Sequence, residues 1–213
     1  MNEKIIRKIF PKKNCLNMNK LKYDNEGLYS ISYPNLAEIL SKEIKIFDNE
    51  DFKLDNIVDA TAGIGGNVLS FAKYFSKVYA VELDKTRFEH LENNVSNYSY
   101  DNIKCINGDS IEIIKNGLEK FDSNPDVIFF DPPWGGPSYK YIKDVELELS
   151  NYKLLDIIEL IFNLKKVKFV VFKIPFNYNF LDLVNRCNEK NLIKQFNFIK
   201  EKNIVFVFLK INI

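Results

Sequence analysis

Histidine is nearly absent from this sequence: His90 is the single one in 213 residues. His-rich metal centres are thereby excluded, and a catalytic triad built on an imidazole is not expected. His90 itself sits in a polar helical stretch and reads as a surface residue. Cysteine is scarce and scattered. Cys15, Cys105 and Cys187 are far apart, odd in number and form no Cys-x-x-Cys pair, which argues against a disulfide framework or a zinc site and for a reducing compartment. No apolar run approaches membrane-spanning length, and the polar start carries no signal-peptide core. A soluble intracellular protein with neither membrane nor metal as partner, and monomeric, is expected. A net charge of +1 removes the global basic field of a bulk nucleic-acid binder.

The charge that is present is uneven. Residues 1–22 carry Lys4, Arg7, Lys8, Lys12, Lys13, Lys20 and Lys22 against Glu3 alone, a patch suited to phosphates or to plain solvation. Ile5, Ile6, Ile9 and Phe10 lie among these cations and predict a helix or arm packed on a core. The length fits one domain with a short N-terminal extension: residues 1–46 as basic arm and helix, 47–213 as the main domain.

Lys22–Ser32 reads as turn-rich and leads into a helix from Pro34 to Ile46, with proline in its first turn and Leu36, Ile39, Leu40 and Ile44 as an apolar stripe. From Ile57 the pattern alternates. Strands are predicted over Ile57–Thr61, Val78–Leu83, Ile103–Ile106, Asp126–Phe130 and Val167–Ile174. Helices are predicted over Val68–Phe75, Lys85–Val95, Ser110–Lys120, Lys153–Asn163 and Leu181–Lys190. Ile193–Ile199 and Ile204–Ile211 close an antiparallel hairpin. The result is an α/β fold: a seven-stranded, mostly parallel, Rossmann-like sheet with helices on both faces and a reversed edge.

Two loops of this sheet carry chemistry. Asp59-Ala60-Thr61-Ala62-Gly63-Ile64-Gly65-Gly66-Asn67 follows the first strand, where open α/β sheets bind ligands. The loop has no basic residue and no Walker lysine, and its spacing is not that of a dinucleotide loop. Asp59 would repel a pyrophosphate but suits a donor carrying an ammonium and a sulfonium, which favours S-adenosylmethionine over NAD or ATP. Glu82, with Asp84 as neighbouring alternative, ends the second strand where an acid holds two ribose hydroxyls. Asp109 ends the third unit, placed for an adenine amino group or for capping the next helix.

The other loop is Asp131-Pro132-Pro133-Trp134-Gly135-Gly136-Pro137, directly after an apolar strand. Two prolines fix φ and remove two backbone donors, so the Pro132 carbonyl is a rigid acceptor. Asp131 is a second acceptor and Trp134 a flat aromatic face. Together they form a cradle for an exocyclic amine on a planar base. A strand-exit turn with a core tryptophan is the alternative.

Glycine loop, Glu82, Gly108-Asp109 and Asp-Pro-Pro-Trp stand in order at successive strand ends, and the chain from about residue 20 onward resembles a class I S-adenosylmethionine-dependent methyltransferase. More narrowly, Asp131–Tyr139 (DPPWGGPSY), Asp24–Ser32 and Asp59–Asn67 resemble the trimethylguanosine synthase family. The resemblance implies methylation of guanine N2 on the 7-methylguanosine cap of RNA, giving a dimethyl- or trimethylguanosine cap. It assigns Asp131 and Pro132 to catalysis, and Ser30, Pro133, Trp134, Lys173 and Asn177 to the capped RNA or cap analogue. It assigns Glu26, Ser32, Asp59, Ala60, Thr61, Gly63, Asn67, Glu82, Leu83, Asp109 and Ser110 to S-adenosylmethionine. The family generally has Ser where this chain has Asp131, and a phosphate-binding Arg where it has Phe176; Lys173 or an arm lysine is the expected substitute. Asp131 keeps open an N6-adenine or N2-guanine methyltransferase acting on rRNA, tRNA or DNA. A catalytically dead cap- or RNA-binding module would be expected to lose the donor loop, yet Asp59, Gly63, Gly65, Gly66 and Glu82 are all present.

Overall fold

Parallel strands buried on both faces read as apolar runs, and the central strands here follow that rule. The structure, a computed structural model, describes residues 3–13 and 16–213; Cys15 lies outside the described residues. Its main strands are β1 (Asn56–Asp59), β2 (Lys77–Glu82), β3 (Ile103–Asn107), β4 (Val127–Phe130), β7 (Phe169–Pro175), β8 (Ile193–Glu201) and β9 (Ile204–Ile211). They form a seven-stranded, mostly parallel sheet in the order β3-β2-β1-β4-β7-β9-β8, with β8–β9 as the antiparallel edge hairpin. Every residue of β4 and of β7 is buried. Between them in sequence lies a two-stranded ribbon, β5 (Glu148–Leu149) and β6 (Tyr152–Lys153), turned by Ser150 and Asn151 at φ 51° and 66°. No described helix is long and apolar enough to cross a membrane.

The chain divides into two compact units, Met1–Ser110 and Ile111–Ile213. In the first, β1, β2 and β3 pair in parallel. Around them stand α3 (Pro34–Ile46), α4 (Gly66–Phe71) and α5 (Lys85–Tyr98). In the second, β4 pairs in parallel with β7, and β7 antiparallel with β9. Helices α7 (Leu154–Leu164) and α8 (Phe180–Glu189) complete this unit.

The basic arm is a packed part of the first unit. It contains α1 (Glu3–Ile9) and a 3-10 turn, Met18–Lys20, capped by the Asn17 side chain. Ile6, Ile9, Phe10, Met18 and Leu21 are buried in one cluster with Ile64 and Leu69 from the glycine loop and α4, and with Tyr98 of α5. Asn94, fully buried on α5, joins the arm to that loop. Its amide nitrogen donates to the Lys22 carbonyl at 2.9 Å and the Ile64 carbonyl at 3.0 Å, and its oxygen accepts from the Lys22 N–H at 2.8 Å. The Tyr98 hydroxyl donates to the Pro11 carbonyl.

Three expectations change. The segment read as turn-rich contains helix α2 (Asn25–Ser30), because Asp24 accepts the Gly27 N–H at 2.9 Å and acts as an N-cap rather than a turn residue. Helix α6 (Ser110–Lys115) stops short of Lys120. Gly117 takes φ 74° there, and the Leu118 N–H closes back on the Ile113 carbonyl. His90 is half-buried rather than on the surface: three residues after Arg87 and four before Asn94, it shares their inward face.

Phe10 is 1% exposed, so Phe10→Ala leaves a cavity between arm and glycine loop. It should cost about 3–5 kcal/mol of unfolding free energy, read by urea denaturation; a loss below about 1 kcal/mol would mean the arm is not part of the core.

Candidate active site

The donor half is built in the N-terminal unit at the ends of β1 and β2. Asp59 ends β1 fully buried, and its Oδ1 accepts the Thr61 N–H at 3.1 Å. That contact starts the turn through Ala60, Thr61 and Gly63, which the Ala62 N–H ties to the Val81 carbonyl at 2.9 Å. The turn delivers the chain to Gly66, the first residue of α4. A methyl group on Gly66 would lie 2.6 Å from Ile31 Cγ1 and 2.8 Å from the Ser32 carbonyl oxygen. Glycine here lets the segment before α3, with the buried Ser32, lie directly on the donor loop.

Glu82 at the end of β2 is 7% exposed, so its charge needs donors. Oε2 accepts the Gly63 N–H at 2.8 Å, and Oε1 accepts the Asp84 N–H at 2.9 Å with Arg87 Nε at 3.4 Å. Asp84 is occupied otherwise: it caps α5 through the Arg87 N–H at 2.9 Å, which holds its carboxyl below the usual aspartate value. Of the two acids, Glu82 is therefore the one built into the loop. Arg87 also pairs with Glu26 of α2 at 2.7 Å, linking the pre-domain segment to the β2 tip. Leu83 is 63% exposed beside Glu82. Asp109 immediately precedes α6 and is half-buried, next to the buried Ser110. The Ser30 hydroxyl donates to the Glu26 carbonyl at 2.9 Å, within its own helix.

The donor set fits S-adenosylmethionine. The acids Asp59 and Glu82 lie at the ends of β1 and β2, which suits a donor carrying an ammonium, a sulfonium and ribose hydroxyls, and no basic loop residue awaits a phosphate. Asn67 is 7% exposed, and its amide oxygen lacks a hydrogen-bond partner among the described residues, an acceptor a bound ammonium or hydroxyl would satisfy. No cluster of three or more potential metal ligands occurs among the described residues.

The acceptor half belongs to the C-terminal unit. Phe130 at the end of β4 pairs with Phe172 of β7, so the next residues, Asp131 and Lys173, emerge side by side. Lys173 Nζ donates to Asp131 Oδ2 at 2.5 Å, and Lys173 is 5% exposed. It does not reach out to solvent as a phosphate contact: its ammonium is spent on the carboxylate, because a lysine buried beside a sheet end requires a counter-charge. Burial pushes the Asp131 carboxyl above the ordinary aspartate value, against the Lys173 ammonium, which pulls it down.

Pro132 is buried and Pro133 exposed. Trp134 is half-buried and edge-on to Tyr139, centroids 5.0 Å apart and planes at 81°. Its Nε1 is buried without a partner among the described residues. Gly135 follows at φ 81° with open space where a side chain would be. Asn177, expected at the substrate, holds the loop: its amide nitrogen donates to the Tyr139 carbonyl at 2.8 Å and the Ile142 carbonyl at 2.6 Å. In the arm, a cavity of about 330 Å³ is lined by Arg7, Lys12, Lys13, Asn17 and Asn19 among others.

Residues 54–210 match the family model for RNA cap guanine-N2 methyltransferase. The uncharacterized protein L320 of Acanthamoeba polyphaga mimivirus is 34% identical over 195 residues, covering 83% of this chain and 75% of that protein. Trimethylguanosine synthase of Schizosaccharomyces pombe is 30% identical over 118 residues, covering 54% of this chain and 47% of that protein, so the match spans about half the yeast enzyme's length. Among solved structures, the METTL16 MTase domain gives a TM-score of 0.64 at 13% identity, covering 87% of this chain and 72% of that one. An rRNA methylase from Streptococcus thermophilus gives 0.53 at 16%, covering 85% and 98%. At these identities the structures show the fold alone.

Gly66→Ala forces the Ile31–Ser32 segment off the donor loop at about 1–3 kcal/mol. Calorimetry should show S-adenosylmethionine affinity reduced roughly tenfold or more; unchanged affinity would separate that segment from the donor site.

Proposed function

The chain belongs to the RNA cap guanine-N2 methyltransferase family, and from that premise we propose that it methylates the exocyclic N2 amine of 7-methylguanosine on an RNA cap. S-adenosylmethionine, the methyl donor that goes with this family and fold, supplies an activated methyl on a sulfonium. The observation that carries the proposal is the ledge after β4. Two acceptors, the Asp131 carboxylate and the rigid Pro132 carbonyl, adjoin a half-buried tryptophan that is followed in the chain by two glycines.

Each residue then has a task. Trp134 stacks on the base, and 7-methylation, by making the ring cationic, strengthens that contact with an indole face. Asp131 and the Pro132 carbonyl accept the two N2 hydrogens and fix the direction of the nitrogen lone pair, a positioning effect that lowers the barrier without further chemistry. The Asp131 carboxylate is also the nearest base for the proton N2 must lose. Tyr139 and Asn177 keep the indole and its loop in place. Glu82 takes the ribose hydroxyls and Asp109 the adenine amino group, with Leu83 against the adenine. Asp59, Asn67 and Glu26 face the donor's cationic groups. Lys173, paired to Asp131, is not available for the role of the family's phosphate-binding Arg.

Asp131 also favours a second reading, an amino methyltransferase acting within rRNA, tRNA or DNA, because Asp at this position is usual among other amino methyltransferases.

Tritiated methyl transfer to 7-methyl-GTP and to GTP tests the proposal. Transfer is expected with 7-methyl-GTP and not with GTP. Trp134→Ala should forfeit about 1–3 kcal/mol of base binding, roughly 10- to 100-fold in KM. Equal transfer to both nucleotides, or none to either with S-adenosylmethionine bound, would sink it. The pH dependence has a definite sign. Asp131 acts as a carboxylate and burial raises its pKa, so kcat/KM should climb with pH through a midpoint above the ordinary aspartate value. Asp131→Asn should abolish that limb.

A further inference from the structure

Lys173 is the buried charge that the proposed chemistry leaves unused. It lies on β7 within a seven-residue strand buried along its whole length, where a lysine is costly without a strong reason. Its ammonium contacts Asp131 Oδ2 at 2.5 Å and lies over the Trp134 ring, whose centroid is 5.5 Å away. Lys140, 5.9 Å from the Tyr139 ring, stands behind the tyrosine that edges Trp134.

Lys173 thus touches both parts of the acceptor ledge, the proton acceptor and the stacking plate. Resting on the cap reading, we propose that Lys173 is a positioning residue that keeps Asp131 an oriented carboxylate, and that the Asp131–Lys173 pair meets a cationic base with no net charge. Each half of the proposal follows from charge. Without Lys173, a buried aspartate takes up a proton and turns from acceptor to donor toward N2. Without Asp131, an uncompensated ammonium lies 5.5 Å from the ring on which a cationic 7-methylguanine must stack.

The chain has a single tryptophan, so intrinsic tryptophan emission reports this loop alone, and a pH titration of the free protein requires no substrate. The wild type should show one transition from Asp131. Lys173→Met should move its midpoint up by about 1–3 pH units, the size of an adjacent opposite charge, and Asp131→Asn should abolish it. The acid limb of methyl transfer to 7-methyl-GTP should shift equally in Lys173→Met, and the Lys173→Met/Asp131→Ser double variant should regain activity over the single one. A midpoint unchanged in Lys173→Met would overturn the proposal, as would a double variant no better than the single. If Lys173→Met is unfolded by circular dichroism, the charge-free Lys173→Met/Asp131→Asn variant should fold. An unfolded double variant would assign Lys173 to the sheet itself and equally overturn the proposal. A wild type that titrates as expected but does not methylate 7-methyl-GTP would overturn the cap reading and leave the emission titration to decide the role of Lys173.

Discussion

A carboxylate buried at the carboxyl end of a strand loses its water and has to be met by donors, and this requirement recurs through the molecule. Asp59 after β1 is met by the Thr61 N–H, Glu82 after β2 by the Gly63 and Asp84 N–H groups, and Asp131 after β4 by the Lys173 ammonium. In the first two cases the donors are backbone, so satisfying the acid also shapes the loop that follows. In the third, prolines have removed the nearby backbone donors and a side chain from the neighbouring strand takes over. The same requirement thus produces a donor loop moulded around acids and an acceptor ledge with a charged partner beneath it.

The N-terminal arm becomes intelligible in the same terms. Its cations lie along the surface, Lys8 over the Tyr33 ring and Lys13 on the Tyr98 carbonyl, while Ile6, Ile9 and Phe10 bury against Ile64 and Leu69, and Asn94 fastens Lys22 and Ile64 to one side chain. Arg87 adds a charged link between Glu26 and Glu82. Arm, α2 and glycine loop are consequently one packed body.

Much of this was visible in the chain itself. Strands such as Val127–Phe130 stand out because burial on both faces turns them into unbroken apolar runs, and Asp59, Glu82 and Asp131 stand out as acids that end such runs. Asp24-Asn25-Glu26-Gly27 misled because caps and turns draw on the same short polar residues; only the Asp24 to Gly27 N–H contact tells them apart. Asn94 was illegible, since nothing in a polar helix distinguishes an inward asparagine whose partner is 72 residues away. Lys173 is legible as a charge within an apolar run, but not as the partner of Asp131. Its partner is 42 residues distant and is selected by the register of β4 on β7, a relation that spacing along the chain does not carry.

The most direct measurement of what this site does is the position of the transferred methyl. An RNA carrying a 7-methylguanosine cap would be incubated with the protein and trideuteromethyl-labelled S-adenosylmethionine, digested to nucleosides and analysed by mass spectrometry. The account predicts label on N2 of the cap guanosine, as one or two methyl groups, with the body of the RNA unlabelled. Label on an internal adenosine or guanosine, with the cap unchanged, would contradict it.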